Sequence, residues 1–332
     1  MDLLLHDAAR NGHPVPFRLR YPVGAGGPLP VIVWNHGGTT TRWARRQRGP
    51  VRVSAGQQSS AAHGVSFARR GYVVIHVGRL PAETLTPSQL QDCAAGGVVA
   101  RPSAYAAKCA AFVGYRVYGQ QNVAFVLAEL ARLQDASPGE LPVPLDLARV
   151  VVGGWSGGSA IALGIAGAVQ KLRNVRIDPV PVPGVVAFFA SSPRGPEWGN
   201  FTSGFVDEFE APELHGFSGI DARPFLFVTG RYDVGAEPSA IPLSRPAAFW
   251  DSRAGGKYLS WAWQHARPGR PVHGTYDLND CDGLRRPYCE AFDSLGIAFL
   301  DAVVRGRPEA GAWLASDAYR VLTGGLVELH RR

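Results

Sequence analysis

Gly154-Trp155-Ser156-Gly157-Gly158 sets a serine between small residues two positions to either side. The apolar run Val150-Val151-Val152 comes just before it and an Ala/Ile/Leu-rich stretch just after. In a sharp strand-to-helix turn the backbone passes so close to itself that side chains at the flanking positions would clash, which is the reason for glycine there. Such a turn presents the Ser156 hydroxyl at the sheet edge. The Gly157 amide, at the positive start of the helix, is then available to a developing oxyanion. A serine hydroxyl alone is a weak nucleophile, so the arrangement requires a base and an orienting acid elsewhere in the chain.

Nine histidines are available. In a sheet that carries its nucleophile on such a turn, the base belongs on the loop after the last expected strand, Tyr258 to Trp263, which leaves His265 and His273. His273 follows a Pro/Gly-rich loop and precedes Gly274-Thr275-Tyr276, whereas His265 lies two residues past Trp263 and could still belong to a strand. His273 is the preferred base. Phe225-Leu226-Phe227-Val228-Thr229-Gly230-Arg231-Tyr232-Asp233 places a carboxylate just past a buried strand, making Asp233 the preferred acid and Glu237 its alternative. A second oxyanion amide is expected in the loop Asn35-His36-Gly37-Gly38, from Gly38 or else from Thr39, with His36 fixing the loop. Trp155, Thr39 and Tyr276 are expected to line a substrate pocket, within a wider aromatic group of Trp34, Trp43, Trp198 and Tyr232 of which some members are plain core.

The elements that must position these groups are legible as apolar runs alternating with helical patterns. Strands are expected at Leu29 to Trp34, Tyr72 to Val77, Arg149 to Val152, Val185 to Ala190, Phe225 to Thr229 and Tyr258 to Trp263. Helices are expected over Ser59 to Arg70, over the face Val123, Val126, Leu127, Leu130 and Leu133, and over Phe292, Leu295, Phe299, Leu300 and Val303. Nearly continuous apolar strands interleaved with amphipathic helices indicate an α/β protein whose mostly parallel sheet is covered on both faces. Two stretches break the rhythm, at about 79–119 and 193–222. They read as insertions at the carboxyl ends of strands, where such sheets bind ligands. Residues 1–332 are therefore expected to form a single domain with two insertions.

Composition narrows the classes further. With 332 residues, 46% hydrophobic and 18% charged, the chain has apolar material for a large core, which excludes a disordered or fibrous protein. The net charge of +7 rests almost wholly on arginine, since Lys108, Lys171 and Lys257 are the only lysines. It reads as a surface property and not as a nucleic-acid signature. The basic run Arg42, Arg45, Arg46, Arg48 and Arg52 reads as a solvated arm, with attraction of anionic or polymeric substrates as the alternative. Val150 to Gln170 carries no ionisable group and is long enough to span a bilayer, but its glycines break it into strand, turn and helix, so no transmembrane segment is expected.

Cys93 and Cys109, and Cys281 and Cys289, are spaced to close two local disulfides; zinc is the weaker reading without a C-x-x-C pair. Asp277, Asp280 and Asp282 miss the calcium-loop spacing and read as a polar turn. No metal and no cofactor is expected. Two disulfides would imply an oxidising compartment, hence a periplasmic or secreted protein whose signal peptide has been removed; otherwise it is expected in the cytoplasm. Oligomeric state is left open.

The nucleophile turn, the His36-Gly37-Gly38 loop, Gly230-Arg231-Tyr232-Asp233 and His273-Gly274-Thr275-Tyr276, in the chain order Ser156, Asp233, His273, resemble the α/β-hydrolase superfamily. More narrowly, Asp7-Ala8-Ala9-Arg10 with Val15-Pro16, and Lys257-Tyr258-Leu259, resemble the dienelactone-hydrolase-like and platelet-activating-factor-acetylhydrolase-like esterases, over roughly residues 7 to 305. That resemblance implies an α/β-hydrolase fold and metal-free hydrolysis of carboxylic esters by Ser156, Asp233 and His273, with oxyanion amides at Gly38 and Gly157. Serine stands where true dienelactone hydrolases have cysteine, and Trp155 resembles a feature of some polyester hydrolases. The expected activity is a serine carboxylic-ester hydrolase acting on a small-molecule or polymeric ester. A peptidase or amidase with the same triad and a non-catalytic binding protein are the alternatives.

Overall fold

A computed structural model describes residues 1–37, 60–78, 102–137, 139–172, 175–193, 195, 215–233, 244–263, 271, 273–278, 281 and 283–332. The strands are β1 (Asp2–Asp7), β2 (His13–Arg20), β3 (Leu29–Asn35), β4 (Val73–Val77), β5 (Leu145–Trp155), β6 (Val169–Leu172), β7 (Val175–Ile177), β8 (Val185–Ser191), β9 (His215–Gly216), β10 (Phe225–Gly230), β11 (Lys257–Ala262) and β12 (Val327–Arg331). The helices are α1 (Ala61–Arg69), α2 (Pro102–Ala136), α3 (Gly157–Ile165), α4 (Ala247–Asp251), α5 (Arg286–Val303), α6 (Pro308–Ala315) and α7 (Ala318–Leu322).

Among the described residues, nine strands form one sheet in the order β1-β2-β4-β3-β5-β8-β10-β11-β12. The centre from β4 to β11 is parallel, while β1 and β2 at one end and β12 at the other pair antiparallel. Helices flank the sheet, so the protein is α/β. The central strands read as unbroken apolar runs because both of their faces are covered.

Side chains alternate between two cores. One face buries Val31, Val33, Val152, Phe188 and Phe227 against Val123, Val126 and Leu130 of α2 and Ile161 of α3. The other buries Ile32, Trp34, Val151, Phe189 and Leu226 against Phe67 of α1 and Phe292, Leu295, Phe299 and Leu300 of α5. Burying each such side chain contributes about 1.5–3 kcal/mol. The parallel register points every central strand's carboxyl end the same way, which is the geometry that collects loops into a site.

The structure adds detail to three expectations. From Pro102 the chain is already helical as the start of α2, so the second half of the 79–119 stretch is helix. Its Ala-rich sequence has helix propensity but no two-sided apolar pattern to announce it; residues 79–101 lie outside the described residues. Within 193–222, His215–Gly216 joins a three-stranded antiparallel sheet β7-β6-β9, and Phe217 buries its ring, so this end of the insertion is anchored. Trp34 is core and not pocket: it is fully buried beside His63, Phe67 and Phe189.

The strand, turn and helix expected over Val150 to Gln170 form as β5, Ser156 and α3. Gly167, with φ +115, then turns the chain into β6. Among the described residues, no helix is long and apolar enough to cross a membrane. Cys281 and Cys289 sit at disulfide distance and tie the segment before α5 to that helix. Cys93 lies outside the described residues and the side chain of Cys109 is not described, so the expected 93–109 pair falls outside them.

His63 sits in the aromatic core with its ring 4.7 Å from Trp34 and 5.4 Å from Phe67. Burial pushes its pKa down to about 4, against a smaller opposing contribution from the Tyr276 backbone. The unfolded chain therefore binds a proton that the folded one refuses between pH 6.5 and 4. Stability is complete above 6.5 and declines as the pH falls through that window, by about 3 kcal/mol in total. His63→Leu is expected to flatten this decline. Thermal midpoints of both proteins at pH 7 and pH 4.5 check it, and parallel declines would remove His63 as the cause.

Candidate active site

The turn after β5 is built as the glycine spacing requires. Ser156 has φ 53 and ψ −116, a strained conformation for a residue with a side chain. Its amide donates to the Ser191 carbonyl at 2.9 Å, locking the turn to the end of β8. A Cβ on Gly154 would lie 2.5 Å from the Gly158 backbone, and one on Gly158 would overlap the Asn35 carbonyl. One on Gly37 would overlap the Trp155 ring. Asn35 anchors the neighbouring loop by donating from Nδ2 to the Gly153 carbonyl at 3.0 Å, and His36 Nδ1 lies 2.9 Å from the Gly37 carbonyl.

Three loops at the carboxyl ends of β5, β10 and β11 bring Ser156, Asp233 and His273 together. Ser156 Oγ is 2.8 Å from His273 Nε2, and His273 Nδ1 is 2.7 Å from Asp233 Oδ1. Of the three, His273 is the most accessible, its side chain 17% exposed, while Asp233 is 0% exposed and Ser156 is buried. Trp155 packs its ring 4.8 Å from the imidazole and donates from Nε1 to the His273 carbonyl at 3.0 Å. It supports the histidine as well as lying half-buried beside it. Gly157 is the first residue of α3, where a backbone amide has no acceptor within its helix.

Asp233 is held by residues the motifs do not include. Thr229 Oγ1 and Ser192 Oγ donate to Asp233 Oδ2 at 2.7 and 2.5 Å, and Ser192 Oγ also lies 2.8 Å from His273 Nδ1. Arg245, only 2% exposed, donates from Nε to the Asp233 main-chain carbonyl at 2.7 Å and comes within 3.6 Å of Oδ2. Its Nη1 donates to the carbonyls of Ser192 and Pro193 at 3.3 and 2.9 Å. Burial by itself would raise the acid's pKa. The Arg245 guanidinium, His273 and the hydrogen bonds from His273 and Ser192 reverse that and bring it down to about 2. The stability this confers is present above about pH 4 and is lost as the pH falls through 2.

Tyr276 does not line a pocket. It is buried, stacked 5.2 Å from Phe292, with its hydroxyl behind Gly230; burial, then the Asp233 charge, pushes its phenol well above 10. Tyr232 is half-buried beside the acid. Asp277 is buried and accepts from Ser60. Gly38, Thr39, Trp43, Trp198, Glu237, His265, Asp280, Asp282 and the arginine run 42–52 lie outside the described residues. Ser192 had a faint signal as the polar end of an apolar strand. Arg245 had none, because only the fold brings it to the acid.

Gly158→Ala is expected to destabilise the protein by roughly 3 kcal/mol or more, since a backbone carbonyl occupies the space its methyl needs. Gly311→Ala, inside α6 with nothing within 4 Å, is expected to stabilise it by about 0.5–1 kcal/mol. Urea unfolding of the two variants measures both signs, and equal effects would mean that close approach does not govern the turn.

Compared with known proteins, the chain matches no family model and no curated protein sequence.

Proposed function

We propose that the protein is a serine carboxylic-ester hydrolase with an α/β-hydrolase fold. The observation that carries this is the unbroken hydrogen-bonded line from Ser156 Oγ through the His273 imidazole to a buried, ionised Asp233, with the serine strained at the start of a helix. The parallel strands with β5 at the centre and the chain order serine, acid, histidine support the fold assignment.

In the first half-reaction Ser156 Oγ attacks the ester carbonyl carbon while His273 Nε2 takes the hydroxyl proton. Charge develops on the carbonyl oxygen, and the Gly157 amide at the start of α3 donates to it. Gly38 would supply a second amide from the loop after β3. Asp233 stabilises the imidazolium and fixes its tautomer, and Trp155 holds the histidine's main chain. Collapse of the tetrahedral species breaks the bond to the alkoxide, which leaves as the alcohol with the proton from Nε2. Water, deprotonated by the same nitrogen, then attacks the acyl-serine, and as the acyl–Oγ bond breaks Nε2 returns the proton to Ser156 Oγ and the acid is released.

A histidine whose side chain is 17% exposed is open to a small-molecule or polymeric ester. The Cys281–Cys289 pair favours an oxidising compartment and hence export.

Ser156→Ala is expected to lower kcat for p-nitrophenyl acetate by at least about 10³-fold and to abolish labelling by a fluorophosphonate. Steady-state rates and gel fluorescence read both. Undiminished turnover in the variant would sink the proposal. A wild-type preference for a matched anilide over the ester would shift it to an amidase.

A further inference from the structure

The reaction above gives roles to Ser156, His273 and Asp233 and none to Ser192, whose hydroxyl touches two of them. Ser192 follows β8, is fully buried, and has φ 51, a left-handed conformation that disfavours any residue with a side chain. Glycine would take that conformation without strain, so a serine there must be favoured by its hydroxyl. The main chain is pinned on both sides: its amide donates to the Val228 carbonyl at 2.7 Å, and its carbonyl accepts from Arg245 Nη1.

The hydrogen-bond directions are forced. Asp233 is ionised and can only accept, so at 2.5 Å the Ser192 hydroxyl donates its one proton to Oδ2. The oxygen lone pairs then face His273 Nδ1 at 2.8 Å. If Nε2 accepts from Ser156, the imidazole proton is on Nδ1. That N–H is shared between Asp233 Oδ1 at 2.7 Å and Ser192 Oγ. We propose that Ser192 is a positioning residue of the hydrolytic site, bridging Asp233 and His273 so that the imidazolium formed during catalysis has two acceptors and not one. The inference rests on the ester-hydrolase reading.

The charged and aromatic groups around the imidazole come from separate elements. Asp233 follows β10, Trp155 ends β5, and Arg245, before α4, lies behind the acid. Asp233, held near 2, stays ionised across the working range, so it does not contribute to the acid limb. The Ser192 dipole turns its oxygen toward His273 and its proton toward Asp233, favouring the protonated ring. Removing the hydroxyl therefore makes the base weaker.

Ser192→Ala and Ser192→Gly test this with p-nitrophenyl acetate and with a ¹H–¹⁵N NMR titration of His273. Both variants are expected to lose about tenfold in kcat, with KM within about twofold of wild type. The acid limb of kcat/KM and the NMR midpoint should both move to lower pH by about half a unit to one unit. A purely conformational role predicts the reverse pattern. Ser192→Gly, which accepts φ 51 without strain, would then match the wild type with an unmoved acid limb, and that result overturns the proposal. Ser192→Gly also carries the test should Ser192→Ala fail to fold. The titration needs no turnover. If the wild type hydrolyses no ester, the functional reading falls, while a lowered midpoint still supports the bridge and an unmoved one overturns it.

Discussion

Asp233 holds a negative charge where water does not reach it, and much of the site is arranged around that constraint. An isolated buried carboxylate would take up a proton or cost several kcal/mol of solvation, so its charge survives only with compensating donors. Three of its partners come from different places in the chain: Thr229 at the end of β10, Ser192 after β8 and Arg245 before α4. Each is itself fixed, Arg245 by carbonyls on both loops it joins. Loosening any one would leave a buried polar group unsatisfied, so the acid, its supports and the strand ends form one unit.

Burial differs between the acid and the histidine it holds. With its carboxyl held near 2, Asp233 is a fixed charge at neutral pH. The histidine, 17% exposed, is the more accessible of the two. Ser156 stands at the junction, held by a main-chain bond to β8 and by close backbone contacts that only glycine permits at positions 154 and 158. Strain at φ 53 is sustained because the surrounding backbone leaves no alternative.

How much of this was legible in the sequence depended on the range of the interaction. Ser156 was recoverable because its requirement is local: glycine two residues either side, an apolar strand before, a helix after. The central strands β3, β4, β8 and β10 were legible because burial on both faces leaves continuous apolar runs. β12 was not, since Val-Glu-Leu-His-Arg at a half-exposed sheet edge has no such run. The first half of α2 was missed because its alanines lack a polar face, and Tyr276 was misassigned because an aromatic beside the base looks the same in sequence whether it faces substrate or core. Arg245 was invisible for a deeper reason: its role is to neutralise a charge that only tertiary structure brings near.

Ser192 falls between these cases and shows where sequence patterns lose their hold. Its position after an apolar strand marks a strand end, but a strand-end serine ordinarily contacts solvent or a turn amide. What distinguishes it is the conjunction of full burial, a left-handed backbone and two titratable neighbours within hydrogen-bond reach. None of the three features is unusual alone. Together they mean that a conformational penalty and a desolvation penalty are both offset at one residue, and the hydroxyl's two contacts are what is available to offset them. The strain at Ser156 has the same character at the other end of the imidazole. The histidine is thus bracketed by two serines in positive-φ conformations, each held by main-chain bonds to the adjoining strands. The precision of the line from Ser156 to Asp233 follows from the rigidity of the parallel sheet beneath it.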